Sequence, residues 1–457
     1  MAESKGMAGE HAGGTRPVVV VVGGGFGGLT CVRRLKRAPV DVVLIDRRNH
    51  HLFQPLLYQV ATAALSPAQI SHPLRSVLET QRNARVLMAE ASRVDLTERR
   101  VQVTLPDGED RRIAYDYLVL AAGLTHSYFG HHDWEAWAPG LKTLADALEV
   151  RRRFLISFER AEALRVGIPT ADVSQELTFV VIGGGPTGVE MAGAFVEIAC
   201  QTMRHEFRSI DTSQARVVLI EAQSTLLPAG FPEELGRRAL RDLERLGVNV
   251  MLSTRVTAVE DGGIKIRRNG ASEDEWISSR TVVWAAGVRG EHVAGSLGVE
   301  LDRSGRVGVG SDLSLPKNRE VFVIGDLAIV MDRATGRPVP GMAPGAMQMG
   351  RFVASAIAHE SRGKPRGEFR YRDKGSLATI GRARAVARLP IPGFKHGMNF
   401  GGMLAWVLWA MVHVAYLISY RARILVMLEW AWSYVWLTRG ARILQQTGPQ
   451  GPRNGTT

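Results

Sequence analysis

Apolar positions in this chain come in blocks closed by glycine turns. Val18, Val19, Val20, Val21 and Val22 form an unbroken run that ends in Gly23-Gly24-Gly25-Phe26-Gly27-Gly28. Leu29–Arg37 then has helical spacing, and Val40–Asp46 is a second apolar strand closed by an acid. Runs of this kind belong to parallel sheets covered on both faces. The same order returns 160 residues later, with strand Leu177–Ile182, turn Gly183-Gly184-Gly185-Pro186-Thr187-Gly188 and helix Val189–Cys200. Strand Val217–Glu221 follows, again with a terminal acid, and Gln201–Gln214 lengthens the second copy.

Between and after these units the pattern changes period. Val86–Asp110 alternates around a Pro106-Asp107-Gly108 turn, which predicts a β-meander, and Val248–Ile266 repeats it. Two buried strands end in small residues, YDYLVLAAG at Tyr115–Gly123 and TVVWAAG ending at Gly287, and VFVIGD at Val321–Asp326 is a third. Thr143–Arg165 reads as a helix whose Arg151–Arg153 run suits a solvated face, and Pro344 opens a helix to about His359. His50–Ile70 contains no Asp, Glu, Lys or Arg, and fits either a buried helix with irregular ends or a wall over an apolar ring.

The glycines sit where a dinucleotide pyrophosphate would need them. The first of a GxGxxG turn makes the bend, the second lets backbone approach phosphate, and the third lets helix and strand pack closely. Gly23, Gly25 and Gly28 fill these places in the first unit, and Gly183, Gly185 and Gly188 in the second. Asp46 and Glu221 stand where a carboxylate reaches a ribose hydroxyl, which in the second unit favours NAD over NADP. The fold class expected is α/β: two Rossmann-like dinucleotide-binding domains plus a C-terminal membrane-associated helical region.

Composition narrows the partners. A net charge of +12 raises nucleic acid or an anionic membrane as candidates, but no basic run is interleaved with aromatics as in a nucleic-acid module. Cys31 and Cys200 form no C-x-x-C, and His50 and His51 begin no metal-ligand spacing, so neither a redox disulfide nor a metal site is expected. Residues 1–15 are small and polar, read as disordered, and lack a signal peptide's apolar core, which places the chain on the cytoplasmic side.

The tail is the exception to the soluble pattern. Ser361–Gly397 is basic, and Met398–Tyr420 has no charge apart from a protonatable His413. Ile424–Thr438 is a second apolar segment, interrupted by Glu429. Trp406, Trp409, Trp430, Trp432 and Trp436 are five of the chain's nine tryptophans, flanked by Arg421, Arg423, Arg439 and Arg442. Aromatics with flanking cations mark a membrane–water boundary. Met398–Tyr420 is long enough to span, could lie in the interface, or could bury a helix pair between two copies; interfacial anchoring is the expectation.

These pieces resemble the type II NADH dehydrogenases, single-subunit NADH:quinone oxidoreductases. The resemblance runs from Pro17 to about Ile443 and rests on GGGFGG, FQPLLYQVATAALSP, VIGGGPTGVEMAG, VFVIGDLA, PGAMQMG and GSLATIGRARAV. It implies FAD held at Gly23, Gly25, Phe26, Gly27, Gly28, Asp46, Ala122, Gly123, Gly325, Asp326 and Ala346. It implies NADH held at Gly183, Gly185, Pro186, Thr187, Gly188, Glu190, Glu221, Ala286 and Gly287. Glu190 would orient the carboxamide or relay a proton, or serve as a helix cap. The family's A-Q-x-x-x-Q quinone motif reads Ala343-Pro344-Gly345-Ala346-Met347-Gln348 here, leaving Gln348 and Lys374 as polar candidates. The implied layout is an FAD domain over 16–145 and 291–360, an NADH domain over 146–290, and a membrane-anchoring region over 361–457. The implied partners are quinone and the lipid surface on the cytoplasmic face of the inner membrane, without proton pumping; a homodimer is left open. A sulfide:quinone oxidoreductase, a soluble flavoprotein reductase and a flavin-based redox sensor share parts of this pattern. The first needs cysteines beside the flavin, and the second lacks an aromatic tail.

Overall fold

The structure is a computed structural model that describes residues 16–228, 230–391, 397–436 and 442–444, without the side chains of His205 and residues 434–436. The expectations for residues 1–15, for Arg439, for the end of the segment closing at Thr438 and for the Trp436 side chain lie outside what is described. In chain order the principal elements begin with β1 (Val18–Val22), α1 (Phe26–Arg34), β2 (Asp41–Asp46), α2 (Leu57–Ala61), β3 (Tyr117–Leu120) and α3 (Leu144–Gly167). Then come β4 (Thr178–Ile182), α4 (Pro186–Glu197), β5 (Arg216–Ile220), β6 (Thr281–Trp284), β7 (Val321–Val323) and α5 (Ala343–Glu360). Strands β8 (Ser376–Gly381) and β9 (Arg384–Leu389) and helices α6 (Met403–Tyr416) and α7 (Tyr420–Trp436) complete them.

The chain divides into two compact units. The first comprises the described residues up to 51 together with 73–125 and 289–372. Its parallel sheet has the order β7-β3-β1-β2 and then strand Ala84–Met88. Val18 to Val22 pair in register with Asp41 to Ile45, and Val19–Val22 are at most 4% exposed, which is why the run is continuous. A three-stranded antiparallel meander, Glu90–Asp95, Arg100–Thr104 and Asp110–Ala114, hangs from this sheet. The strand expected to open that meander at Val86 instead closes the parallel sheet, because its register runs alongside β2 from Val42↔Ala84 to Asp46↔Met88.

Helices α1 and α5 cross at small residues. A Cβ on Gly350 would run into the Gly27 carbonyl oxygen, and one on Gly27 would lie 3.3 Å from the Ala346 carbonyl oxygen. The small face of PGAMQMG, Ala346 and Gly350, is therefore what lets α5 lie against the first glycine-turn helix. Cys31 is fully buried on α1, where burial pushes its thiol up to about 12.

The second unit comprises 52–72, 126–288 and the described residues from 373 on. Its parallel sheet has the order Val248–Met251, β5, β4, β6. Phe154 and Phe158 of α3 pack with Phe179 of β4 and Phe195 of α4, Phe154 stacking on Phe195 at 4.5 Å. Helix α3 starts at a capping box in which Thr143 Oγ1 accepts from Asp146 N (3.1 Å) and Asp146 accepts from Thr143 N (2.8 Å). The Arg151–Arg153 run is not simply solvated: Arg152 and Arg153 both bind Glu149, and Arg153 also donates to the carbonyls of Ala136 and Trp137.

An antiparallel sheet of β8, β9 and Met398–Gly401 carries the tail. The expected single apolar element over Met398–Tyr420 is not formed. Its first residues are the edge strand beside β9, Gly402 turns the chain at φ +86°, and α6 begins only at Met403. Ala405 packs into the sheet against Ala385 and Ala387. No helix among the described residues is long and apolar enough to cross a membrane.

The α1–α5 crossing generates a test. Gly350→Ala should destabilise the first unit by roughly 1–3 kcal/mol through overpacking, read as a lower urea midpoint and faster flavin loss on dilution. Gly295→Ala, at a glycine with nothing within 4 Å of its Cβ position, is the control and should leave both unchanged.

Candidate active site

The first turn is built so that only glycine fits. Gly23 has φ +103°, and a Cβ there would strike the Ala121 carbonyl; a Cβ on Gly28 would enter the Gly23 carbonyl. Gly25, the residue that starts α1, has nothing within 4 Å of its Cβ position and no side chain caps the helix. The first N–H groups of α1 therefore face open space as an anion seat. Asp46 Oδ2 accepts from Gly24 N at 2.6 Å, and its other oxygen accepts from Arg48 N at 2.8 Å. The turn is also tied by His51, whose Nδ1 lies 2.8 Å from the Gly24 carbonyl oxygen, and His51 meets Phe26 edge-on at 5.1 Å.

Beside Asp46 lies a cavity of about 70 Å³ lined by Gly23, Arg47, Arg48, Ala122, Glu291 and His292 among others. Arg47 spans part of it with a two-pronged bond to Glu291, at 2.8 Å on its shorter arm. Gly123 and Gly325 take positive φ at +78° and +74°, and Asp326 lies on the short helical turn after β7. An uncapped helix end, a side-chain-free approach and an acid beside a cavity fit an adenine dinucleotide such as FAD. The Arg47–Glu291 pair was not singled out from sequence, since it stands at no motif position, and His51 was weighed there only against metal binding, not as a tie to the turn.

The second unit repeats this construction. Gly183 has φ +113° and sits against Ala285; Gly188 leaves no room before the Gly183 carbonyl; Gly185 is open and starts α4 without a side-chain cap. Glu221 Oε2 accepts from Gly184 N at 2.5 Å and Oε1 accepts from Gln223 N at 2.7 Å. Pro186 and Thr187 are exposed at the helix start, while Gly287 takes φ +80° just after Ala286. Past Glu221, residues Asn249–Thr254 with Arg268 and Asn269 line a groove of about 280 Å³. These features fit NADH.

Glu190 lies within α4 and caps no helix, since Gly185 holds that place. It borders a cavity of about 110 Å³ in the second unit, with Tyr58 and Gln59 of α2, Thr379 of β8, and Trp406, Trp409 and Trp430 of the tail. Burial raises its pKa to about 8, against a smaller opposing effect of a hydrogen bond from the Thr379 backbone, so it holds its proton at neutral pH. Where α4 ends, the chain widens into a π-helix over Ile198–Thr202, which brings Gln201 and Thr202 to the cavity.

Gln348 of the first unit spends its amide on backbone. Its Nε2 donates to the carbonyls of Pro344 (3.2 Å) and Arg372 (3.0 Å), and its Oε1 accepts from Arg372 N at 2.9 Å. Lys374, in the second unit, is exposed. No cluster of metal-ligating side chains occurs among the described residues.

Residues 17–350 match the pyridine nucleotide-disulphide oxidoreductase family, and residues 374–436 match the NDH2 C-terminal domain. The chain is 43% identical over 430 residues to the type II NADH:quinone oxidoreductase Ndh of Mycobacterium tuberculosis, covering 92% of this chain and 89% of that protein. It is 28% identical over 443 residues to an internal alternative NAD(P)H-ubiquinone oxidoreductase of Arabidopsis thaliana, covering 92% and 85%. In fold it resembles NDH2 of Plasmodium falciparum solved in complex with NADH, with a TM-score of 0.83 at 20% identity over 94% of this chain and 100% of that one. The sulfide:quinone oxidoreductase of Aquifex aeolicus gives a TM-score of 0.68 at 20% identity over 89% and 91%. With a dinucleotide seat in each unit and this level of identity along most of its length, the chain belongs to the type II NADH:quinone oxidoreductases.

Proposed function

We propose that this chain oxidises NADH bound by the second unit, uses FAD bound by the first, and reduces a membrane quinone at the cytoplasmic face of the bilayer without pumping protons. The observation that carries the reading is the repeated acid–glycine clamp, Asp46 on Gly24 and Glu221 on Gly184, at the ends of two separate parallel sheets. FAD, when bound, supplies the two-electron carrier chemistry between NADH and quinone.

The chain's own residues bind and orient. The open N-termini of α1 and α4 offer N–H groups and a positive dipole to the two pyrophosphates, contributing about 0.3–2 kcal/mol each. Asp46 and Glu221 each keep lone pairs for ribose hydroxyls while fixing their turns, and a carboxylate at Glu221 repels a 2′-phosphate, which favours NADH over NADPH. Glu190, protonated near neutrality beside the cavity, holds a proton where a reduced quinone needs one.

Membrane attachment rests on the outer faces of the tail helices. On α6, Ala405 and Trp409 face inward, while Met403, Leu404, Val407 and Met411 are 40–69% exposed. On α7, Ala422 and Val426 are buried, and Leu425, Met427, Leu428 and Trp432 are 40–61% exposed. Apolar faces on short helices, with Arg421 exposed at one end and a basic segment upstream, suit burial in the headgroup boundary.

Paired substitutions test the two seats. Glu221→Ala should raise the KM for NADH roughly tenfold to a hundredfold with bound flavin retained, as expected for loss of charge-assisted bonds. Asp46→Ala should lose flavin instead, seen in the absorbance of the purified protein. Glu190 gives a pH test. Its folded-state pKa lies above the ordinary 4.5, so the unfolded chain ionises first and stability falls as pH rises from about 4.5 to about 8. Glu190→Gln should flatten that decline in urea midpoints and remove a limb near pH 8 from the quinone kcat/KM profile. For the tail, Leu404→Ser, Met411→Ser, Leu428→Ser and Trp432→Ser together should cut binding to anionic vesicles about a hundredfold or more, each large side chain being worth about 1.5–3 kcal/mol on burial. Unchanged vesicle binding together with loss of a detergent-resistant dimer would assign that face to a second copy of the chain.

A further inference from the structure

The turn Tyr128–His131 of the second unit carries a residue that its backbone does not favour. The Tyr128 carbonyl oxygen accepts from His131 N at 3.0 Å, and the two residues between them, Phe129 and Gly130, have φ of +52° and +98°. Two central residues of that hand make a type I′ turn, whose positions are normally filled by Asn, Asp or Gly. A phenylalanine there is a conformational outlier, and such outliers gather where the backbone serves a ligand.

The turn is held from the inside. Tyr128 is 3% exposed, donates its hydroxyl to the Ala138 carbonyl at 2.9 Å and lies 5.2 Å from the Trp284 ring. Trp284 donates its indole N–H to the Ser127 carbonyl at 2.9 Å. The chain thus buries Tyr128 and sends the next side chain outward, where Phe129 is 68% exposed. Packing does not account for that ring. Trp284 is already covered by Tyr128 and Trp134, and Phe129 meets it only edge-on at 6.2 Å.

The ring instead touches the second nucleotide seat. A Cβ on Gly287 would lie 2.5 Å from Phe129 Cζ, so the ring rests on the bare backbone of Gly287. Two residues earlier, Ala285 is the residue against which Gly183 of the glycine turn packs. Strand order then decides which half of the dinucleotide passes here. Glu221 follows β5 on one side of β4 and marks the adenosine ribose, whereas Gly287 follows β6 on the other side. The nicotinamide half therefore runs past Gly287.

We propose that Phe129 is a binding residue for the reducing half of NADH: its exposed ring, held over Gly287 by the turn, packs against the nicotinamide and its ribose. The inference rests on the NADH reading above and adds an aromatic contact to it. An apolar ring leaves water for a flat partner, and the turn has it in place beforehand, so little ordering is needed on binding.

Phe129→Asn separates this role from a structural one, because Asn suits the turn and removes the ring. The urea midpoint should hold or rise, while the KM for NADH in detergent-solubilised holoenzyme rises about five- to thirtyfold. Reduced nicotinamide mononucleotide, which lacks the adenosine half, should show the same factor. The inhibition constant of ADP, which lacks the nicotinamide half, should stay at its wild-type value. Phe129→Tyr keeps the ring and should keep the wild-type KM for both donors. An unchanged NADH KM in Phe129→Asn overturns the proposal. ADP inhibition that weakens in step with NADH also overturns it, by putting the ring on the adenosine half or, with a lowered urea midpoint, in the fold alone. Wild-type protein that oxidises neither NADH nor the mononucleotide would overturn the functional reading itself, which separates the two failures.

Discussion

A carboxylate at the end of one strand holding the N–H of a glycine at the end of its neighbour is the contact on which both nucleotide seats depend. Asp46 does this for Gly24 and Glu221 for Gly184. Each acid bonds the turn with one oxygen and its own strand exit with the other, two residues on. The turn must also be compact, and the lack of room for a Cβ at Gly28 and Gly188 brings each helix N-terminus to the strand ends. Charge, dipole and empty space are thus placed by one local device used twice. A phosphate meets an ordered set of donors rather than a loop that must be organised at the moment of binding.

The glycine turns and their strand-end acids were legible because they are local, each lying within one strand–helix–strand unit. The bond from each acid to a turn N–H was not, since Asp46 and Glu221 were read only as ribose partners. The small residues of PGAMQMG were noticed as a motif, but their reason appears only when Gly350 is seen against Gly27, far away in sequence. The tryptophan cavity was less accessible still. It gathers Gln59, Glu190, Thr379, Trp409 and Trp430 from separate stretches of chain, and what distinguishes Trp409 from Trp430 is a missing partner. Hydrophobic pattern reports which faces are buried, but it does not report which buried donors are satisfied. For the same reason the aromatic tail was read correctly as apolar and wrongly as one continuous element over Met398–Tyr420, since the turn at Gly402 depends on sheet pairing with β9.

The tail helices combine two kinds of apolar surface. Trp409, Ala405, Ala422 and Val426 belong to the interior of the second unit, whereas Leu404, Met411, Leu428 and Trp432 face outward. The helices that close the cavity beside Glu190 with one face thus expose apolar side chains on the other. Only this one helical layer separates Glu190 and Trp409, on its inner side, from those exposed apolar side chains.

The order in which the first sheet is assembled carries a consequence for biosynthesis. Its strand β7 pairs with β3, and helix α5 lies on α1, yet both partners are encoded after the whole second parallel sheet. A ribosome therefore releases β1 to β3 with an unpaired edge and an uncovered helix, and these wait while the intervening segment emerges. No amino-terminal fragment that stops short of α5 contains a finished first seat. Loading of the prosthetic group is consequently a late event in the life of the nascent chain.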